Sequence, residues 1–320
     1  MNYKKYLPMF RKILFVIIAL IVTSPIIAQS GMHKGKIFND SISPGNNFNK
    51  AAFRLWYPEK LKTIKALVVL VPGSNGDGRR QVDNQIWQDF ANRYGFALIG
   101  CYFTDYRSKN MAIEKYVNVK EGSGQALLEV LSKFGALTGH PELKDAPMLL
   151  WGHSAGGQFN YEFVCWKPER VVAFVVNKGG VYYSALAPEE ARNVPGIFFT
   201  GENDMESRGD AVKGIFSINR RFGAIWTFAE EPGAGHELGK TLDLTESFFS
   251  EIIPIRIPDK PVNQYEQIKL NNILNHKAFI GDYKTKKYVP INDWQRTRYP
   301  TSWLPSKKFA EAWLSFVKVK

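Results

Sequence analysis

The ten residues Met148–Gly157, read MLLWGHSAGG, restrict what this chain can fold into more than any other stretch. Met148-Leu149-Leu150-Trp151 is an unbroken apolar run, the pattern of a strand buried on both faces. Gly152-His153-Ser154-Ala155-Gly156 fits G-x-S-x-G, and Gln158–Trp166 follows with Phe159, Phe163 and Trp166 at near-helical spacing. Strand, tight turn and helix in that order hold a serine in a strained conformation with its Oγ pointing out of a sheet. Neighbouring chains crowd such a turn, so the residues two before and two after the serine must be small, as Gly152 and Gly156 are. The Ala155 amide falls at the start of the helix, where N–H groups have no intrahelical acceptor and can hold a negative oxygen. A chance glycine-rich turn is the alternative, and the flanking strand and helix weigh against it.

The rest of the chain supplies the sheet this turn needs. Ala66–Val71, Phe96–Phe103, Val171–Asn177, Gly196–Thr200 and Ala224–Ala229 read as buried strands, and Ala52–Tyr57 as an edge strand ended by Pro58. Helices are expected at Gln85–Tyr94, with Ile86, Phe90 and Ala91 or Tyr94 on one face, at Ser123–Phe134, Asp210–Phe222 and Thr241–Ile253, and over a short span at Tyr182–Arg192. Gly135–Ala146 reads as a loop. Strands alternating with helices predict an α/β fold whose mainly parallel sheet is covered on both faces. That domain is expected over 29–253, with Gln29–Lys50 as a polar lead-in. Pro258 and Pro261 then break the pattern, and 254–320 reads as a C-terminal extension packed on the domain, ending in a helix at Lys307–Val317 with Phe309, Trp313 and Phe316 on one side. It has too little apolar sequence for a core of its own.

A serine becomes a nucleophile only with a base to take its proton and an acid to orient that base. Of the five histidines, His33 is near the start, His140 precedes a proline, His276 lies in the extension, and His153 sits inside the turn, where its ring is expected to point away from the serine. His236 alone follows a late strand in a glycine-rich loop, Pro232-Gly233-Ala234-Gly235-His236, and is the candidate base. Asp204, in Gly201-Glu202-Asn203-Asp204 after a strand, is the candidate acid, with Glu202, Glu206 and Asp210 as competitors and helix capping as its structural alternative. The loop Pro72-Gly73-Ser74-Asn75-Gly76-Asp77-Gly78 follows an early central strand and offers the amide of Ser74 or Asn75 as a second oxyanion donor beside Ala155. It fits neither phosphate-binding glycine pattern.

Composition narrows the setting. Lys4, Lys5, Arg11 and Lys12 precede a ten-residue apolar run, Ile13–Val22, and Ala28-Gln29 offers a cleavage point, the pattern of a signal peptide over 1–28. The run is shorter than the about 20 residues of a spanning helix. The chain is therefore expected to be secreted or periplasmic, touching a membrane only while it is exported. Four of the 42 basic side chains and none of the 30 acidic ones lie in 1–28, so the remainder carries a formal +8 instead of +12. These charges are scattered without stacking aromatics between them, which excludes a nucleic-acid partner. Cys101 and Cys165 read as two separate buried thiols, with a single bridge between them as the alternative in an oxidising compartment, and no CxxC or His/Cys cluster calls for a metal.

The loop PGSNGDG, the turn GHSAGG, GEND after one strand and GAGHE after the last together resemble the α/β-hydrolase superfamily over Ala52–Ile253. The order Ser154, Asp204, His236 agrees with it. Loop and spacing are similar to secreted serine esterases of the polyhydroxybutyrate-depolymerase-like and dienelactone-hydrolase-like groups. The resemblance implies an acyl-enzyme on Ser154, hydrolysis of a small-molecule or polymer-attached ester, and no cofactor. An HGGG oxyanion motif of the lipase type is missing. A serine peptidase or acyltransferase on the same fold, and a non-catalytic envelope binding protein, are the competing readings. Tyr102, Trp87, Tyr182, Tyr183, Trp294 and Trp303 are candidates for an aromatic pocket, and Arg79 or Arg80 for binding a substrate carboxylate.

Overall fold

The computed structural model describes residues 34–106, 113–260, 263, 265–274, 277–295 and 301–318. The expected signal peptide, His33 and His276 lie outside these. The strands of the main sheet are β1 (Gly35–Ile42), β2 (Lys50–Pro58), β3 (Leu67–Val71), β4 (Ala97–Thr104), β5 (Met148–Gly152), β6 (Val171–Asn177), β7 (Gly196–Gly201) and β8 (Trp226–Glu231). The helices are α1 (Gln85–Tyr94), α2 (Ser123–Thr138), α3 (Ala155–Trp166), α4 (Glu189–Arg192), α5 (Glu206–Arg221), α6 (Thr241–Arg256) and α7 (Lys307–Lys318).

The eight strands lie in the order β1-β2-β4-β3-β5-β6-β7-β8. The pairs β1/β2 and β2/β4 are antiparallel and the others parallel. This is the α/β-hydrolase fold. Every residue of β3, β5, β6 and β7 is buried, as continuous apolar runs in a doubly covered sheet must be. Alternation sends Val69, Val71 and Leu150 toward α2, α3 and α5, where Phe134, Phe159 and Phe216 complete one core. Val68, Leu70, Leu149 and Trp151 face the other way, onto Trp87 and Phe90 of α1, Phe248 and Phe249 of α6, and Phe309 and Trp313 of α7.

The C-terminal residues thus supply part of one helical layer. A small sheet, β10-β9-β11, is formed by β9 (Phe279–Asp282), β10 (Lys287–Pro290) and β11 (Ser302–Leu304). It joins the main sheet edge through β11, where the Trp303 carbonyl accepts from Thr227 Oγ1 and Ser302 Oγ accepts from the Phe228 amide at 2.9 Å. Trp313 Nε1 of α7 donates to Phe228 O at 2.7 Å.

Several expectations are corrected. Ala52–Tyr57 is not at the edge: β1, inside the expected polar lead-in, pairs along it from Gly35 opposite Pro58 to Ile42 opposite Ala51. Half of β1 faces water and it carries few apolar residues, so its strand signal is faint. In α1 it is Trp87 that is buried, while Ile86 is 42% exposed. The expected loop from Gly135 begins instead as the last turn of α2, and Pro141–Lys144 forms a 3₁₀ turn. α5 starts at Glu206, and α6 runs through Pro254, which lacks the N–H for one intrahelical bond, and ends two residues later at Arg256. Of Tyr182–Arg192 only Glu189–Arg192 is helical. Ahead of it the Glu162 carboxylate accepts the amides of Tyr183 and Ser184, at 2.8 and 2.9 Å, and so competes with helical bonding.

Candidate active site

The turn after β5 is held by both neighbouring strands. The His153 amide donates to Val71 O on β3 at 3.2 Å, and the Ser154 amide to Asn177 O on β6 at 2.8 Å. Ser154 has φ +54° and ψ −123°, a conformation that L-residues rarely adopt. Two glycines make it possible. A Cβ on Gly156 would lie 2.1 Å from Val71 O, and one on Gly152 would lie 2.3 Å from the Gly156 backbone. Ser154 precedes α3, so the buried Ala155 amide opens that helix with no acceptor below it.

Asp204 and His236 come from the turns after β7 and β8, at the same sheet edge. His236 Nε2 is 3.0 Å from Ser154 Oγ, and His236 Nδ1 is 2.9 Å from Asp204 Oδ2. A carboxylate can only accept, so Nδ1 carries the proton and Nε2 is left to accept from the serine hydroxyl. The other carboxylate oxygen, Oδ1, accepts from the Met205 amide and from Arg208 Nη1, both at 2.7 Å. Asp204 does not cap α5, whose N-cap is Met205 and carries no side-chain cap bond. Oδ1 is held by the start of that helix while Oδ2 faces His236. Burial pushes the Asp204 carboxyl up, but the bonds from His236, Met205 and Arg208 outweigh this and hold it below its ordinary range. The acid stays ionised and faces the imidazole. Glu202, a competitor for this place, instead accepts the Gly233 amide at 2.7 Å. Glu206 is exposed and, like Asp210, lies on α5.

The loop after β3 lies directly against the turn: a Cβ on Gly73 would sit 3.5 Å from Ser154 Cβ. Of the two amides expected there, that of Asn75 donates to Tyr116 Oη at 3.2 Å. The Asn75 side chain accepts from the Asp105 amide at 2.7 Å and braces the loop. The Asn75 amide is thereby engaged away from the serine, which leaves Ser74 as the candidate donor of the two.

Sequence reasoning gave His153 no part in the site. Its ring packs against that of His236, with centroids 5.0 Å apart, and its Nε2 lies 2.7 Å from the His236 carbonyl. Lys178 was also missed: it is buried, with φ +54°, directly after β6. The aromatic candidates divide. Trp87 packs on Trp151 in the core, Trp303 is buried, and Tyr102 lies beneath Lys50 and Arg79. Arg79 is itself paired with Asp77 at 2.6 Å. Tyr182 and Tyr183 line a groove of about 580 Å³ with Val181, Met205, Arg208 and Ile218. It begins at the two residues that bond Asp204. Cys101 and Cys165 are both free thiols. Among the described residues no group of three or more His, Cys, Asp or Glu side chains could hold a metal ion.

No protein-family model matches the chain, and no curated protein matches it in sequence. Among solved structures it is similar to a ferulic acid esterase at 12% identity, with a TM-score of 0.48, over 69% of this chain and 97% of that one. It is also similar to FphF, a fluorophosphonate-binding serine hydrolase of Staphylococcus aureus in a substrate-bound structure. That match has 13% identity and a TM-score of 0.45, over 68% of this chain and 98% of the other.

Proposed function

We propose that this protein is a serine hydrolase that cleaves carboxylic esters. The observation that carries the reading is the unbroken chain from Ser154 Oγ through His236 to Asp204, at 3.0 and 2.9 Å. Ser154 Oγ attacks the ester carbonyl while its proton passes to His236 Nε2. The amides of Ala155 and Ser74 take the negative oxygen, each donor contributing about 3–4 kcal/mol to the barrier reduction. His236 then protonates the departing alcohol, leaving an acyl group on Ser154. Water, deprotonated by the same nitrogen, releases the acid and restores the serine. Asp204 fixes the imidazole tautomer and balances its charge.

The groove beside Asp204 supports an ester with an apolar acyl or aryl group, because its lining is mostly apolar and Arg208 is already paired. The loop and motif spacing support a place near secreted polyhydroxybutyrate-depolymerase-like and dienelactone-hydrolase-like esterases. The lysine- and arginine-led apolar run supports export with cleavage near Ala28, which N-terminal sequencing of exported protein would read.

The deciding experiment is hydrolysis of p-nitrophenyl esters, acetate through octanoate, by the protein and by Ser154→Ala. Turnover that disappears in a folded variant is the expected result. Fluorophosphonate labelling of Ser154 without ester turnover would move the assignment to a peptidase or acyltransferase. Neither labelling nor turnover would overturn it in favour of a binding protein.

A further inference from the structure

The loop that carries His236 is suspended by its carbonyl groups. The His236 carbonyl accepts from His153 Nε2 at 2.7 Å, the Glu237 carbonyl from Lys178 Nζ at 2.7 Å, and the Leu238 carbonyl from Asn177 Nδ2 at 3.2 Å. Three consecutive carbonyls are thus held by three side chains from the ends of β5 and β6. The same strand ends fix the Ser154 turn, whose amide binds Asn177 O. Nucleophile and base therefore share one frame.

Lys178 gives this frame its cost and its rigidity. Its side chain is 0% exposed and pairs at 2.9 Å with Glu231, which is 7% exposed. The other Glu231 oxygen accepts the Lys240 amide at the far end of the loop. One buried ion pair therefore ties the loop's start, at the end of β8, to its middle and its exit. A buried pair is weak support for stability alone, since an apolar pair of similar volume often does as well. Its geometry, with the ammonium aimed at the carbonyl next to the base, indicates a different use. Burial holds His153 largely neutral, down to about 4, so near neutral pH its Nε2–H donates to the loop while the other nitrogen carries no proton.

We propose that His153 and the buried Lys178–Glu231 pair form a cradle for the His236 loop, and that His153 and Lys178 are positioning residues for proton transfer between Ser154 and His236. The positioning role rests on the hydrolase reading. The cradle itself rests on the bonds above.

The test uses the full chain with four variants: His153→Phe, His153→Gln, Lys178→Met and the double variant Lys178→Met/Glu231→Gln. Each is assayed by p-nitrophenyl ester kinetics, thermal unfolding and hydrogen exchange of the 233–240 amides. His153→Phe keeps the ring volume but loses the donor, whereas His153→Gln keeps an N–H at a similar reach. Loss of a donor should speed exchange of the loop and lower kcat roughly 10- to 100-fold with KM little changed, as expected when a reacting group is misplaced by about 1 Å. His153→Gln should recover most of that loss. Lys178→Met leaves Glu231 buried and unpaired, so its Tm should fall. The double variant should regain Tm but not kcat, which a merely structural pair would not do. Loop exchange unchanged in His153→Phe and in the double variant would overturn the cradle. Faster exchange with unchanged kcat, or kcat that returns with Tm in the double variant, would overturn the positioning role. If the unmodified protein shows neither turnover nor fluorophosphonate labelling, the hydrolase reading fails and the positioning role with it, while exchange still decides the cradle.

Discussion

Ser154 and Lys178 share a positive φ, +54° in each, at the ends of adjacent strands. Such backbone states cost of order 1–3 kcal/mol and persist where the surroundings over-determine them. Around Ser154 the surroundings are the two glycines and the bonds to Val71 and Asn177. That constraint is local, so it is written in the residues themselves and was readable as G-x-S-x-G. The partners of Lys178 are distant, the Glu237 carbonyl 59 residues away and the Glu231 carboxylate 53 residues away, and a carbonyl acceptor leaves no mark on its residue type. For the same reason His236 was legible from its glycine-rich loop, while His153 was set aside. His153 also makes a prediction at this scale. Burial lowers its imidazole from the ordinary 6.5 to about 4, with His236 and Lys178 acting the same way and the His236 carbonyl and Asp204 opposing. Between these values the unfolded chain binds a proton that the folded chain refuses. This contribution to stability is therefore complete above pH 6.5 and lost as pH falls toward 4. A shift of this size corresponds to roughly 3 kcal/mol. Urea unfolding at pH 7 and pH 4.5 should show the protein losing roughly 2–3 kcal/mol more than His153→Phe does. Equal losses would mean that the ring is solvated.

The elements that came through from sequence are those whose core is set by their own pattern. β6 is apolar from Val171 to Val176, and α1 spans the expected Gln85–Tyr94. Those that did not are governed by other elements: β1 needs β2 to pair with, and the stretch before α4 follows Glu162 of α3 instead of its own helical preference. That stretch forms one wall of the groove beside Asp204, and α5 forms the other. Gly214 lines the groove from α5, and a Cβ added there meets nothing within 4 Å. Gly214→Phe has free space for its Cβ and should project its ring into the groove, and replacing a helical glycine should leave stability unchanged or slightly higher. In the ester series, kcat/KM for octanoate should fall roughly tenfold while acetate stays within about twofold, since each methylene excluded from an apolar site is worth about 0.8 kcal/mol. A uniform fall across all chain lengths would place the acyl group elsewhere.

At the scale of the whole molecule, the two cores share one sheet, and the second cannot be completed by 29–253 alone. Phe309 and Trp313 are fully buried among Phe199, Phe248 and Ile252, and Trp303 lies with them. Composition showed that 254–320 has too little apolar sequence for a separate core, which follows from counting. Where it docks could not be counted, because the Trp313–Phe228 and Thr227–Trp303 bonds depend on β8 being the last strand of the sheet, which no local pattern announces. The described residues from 34 to 318 form one compact unit. If removing α7 would strip Ile197 and Phe199 of their cover, α7 should not open independently of the sheet. Native-state hydrogen exchange should then give the amides of α7 an opening free energy within about 1 kcal/mol of those in β6 and β7, as for segments of one cooperative unit. A markedly lower value for α7, with β6 and β7 unaffected, would show an appendage that leaves the fold intact when it detaches. The burial of Trp313 at the centre of the layer favours the first outcome, because losing a side chain of that size from a core costs about 3–5 kcal/mol, a large share of a domain's total stability.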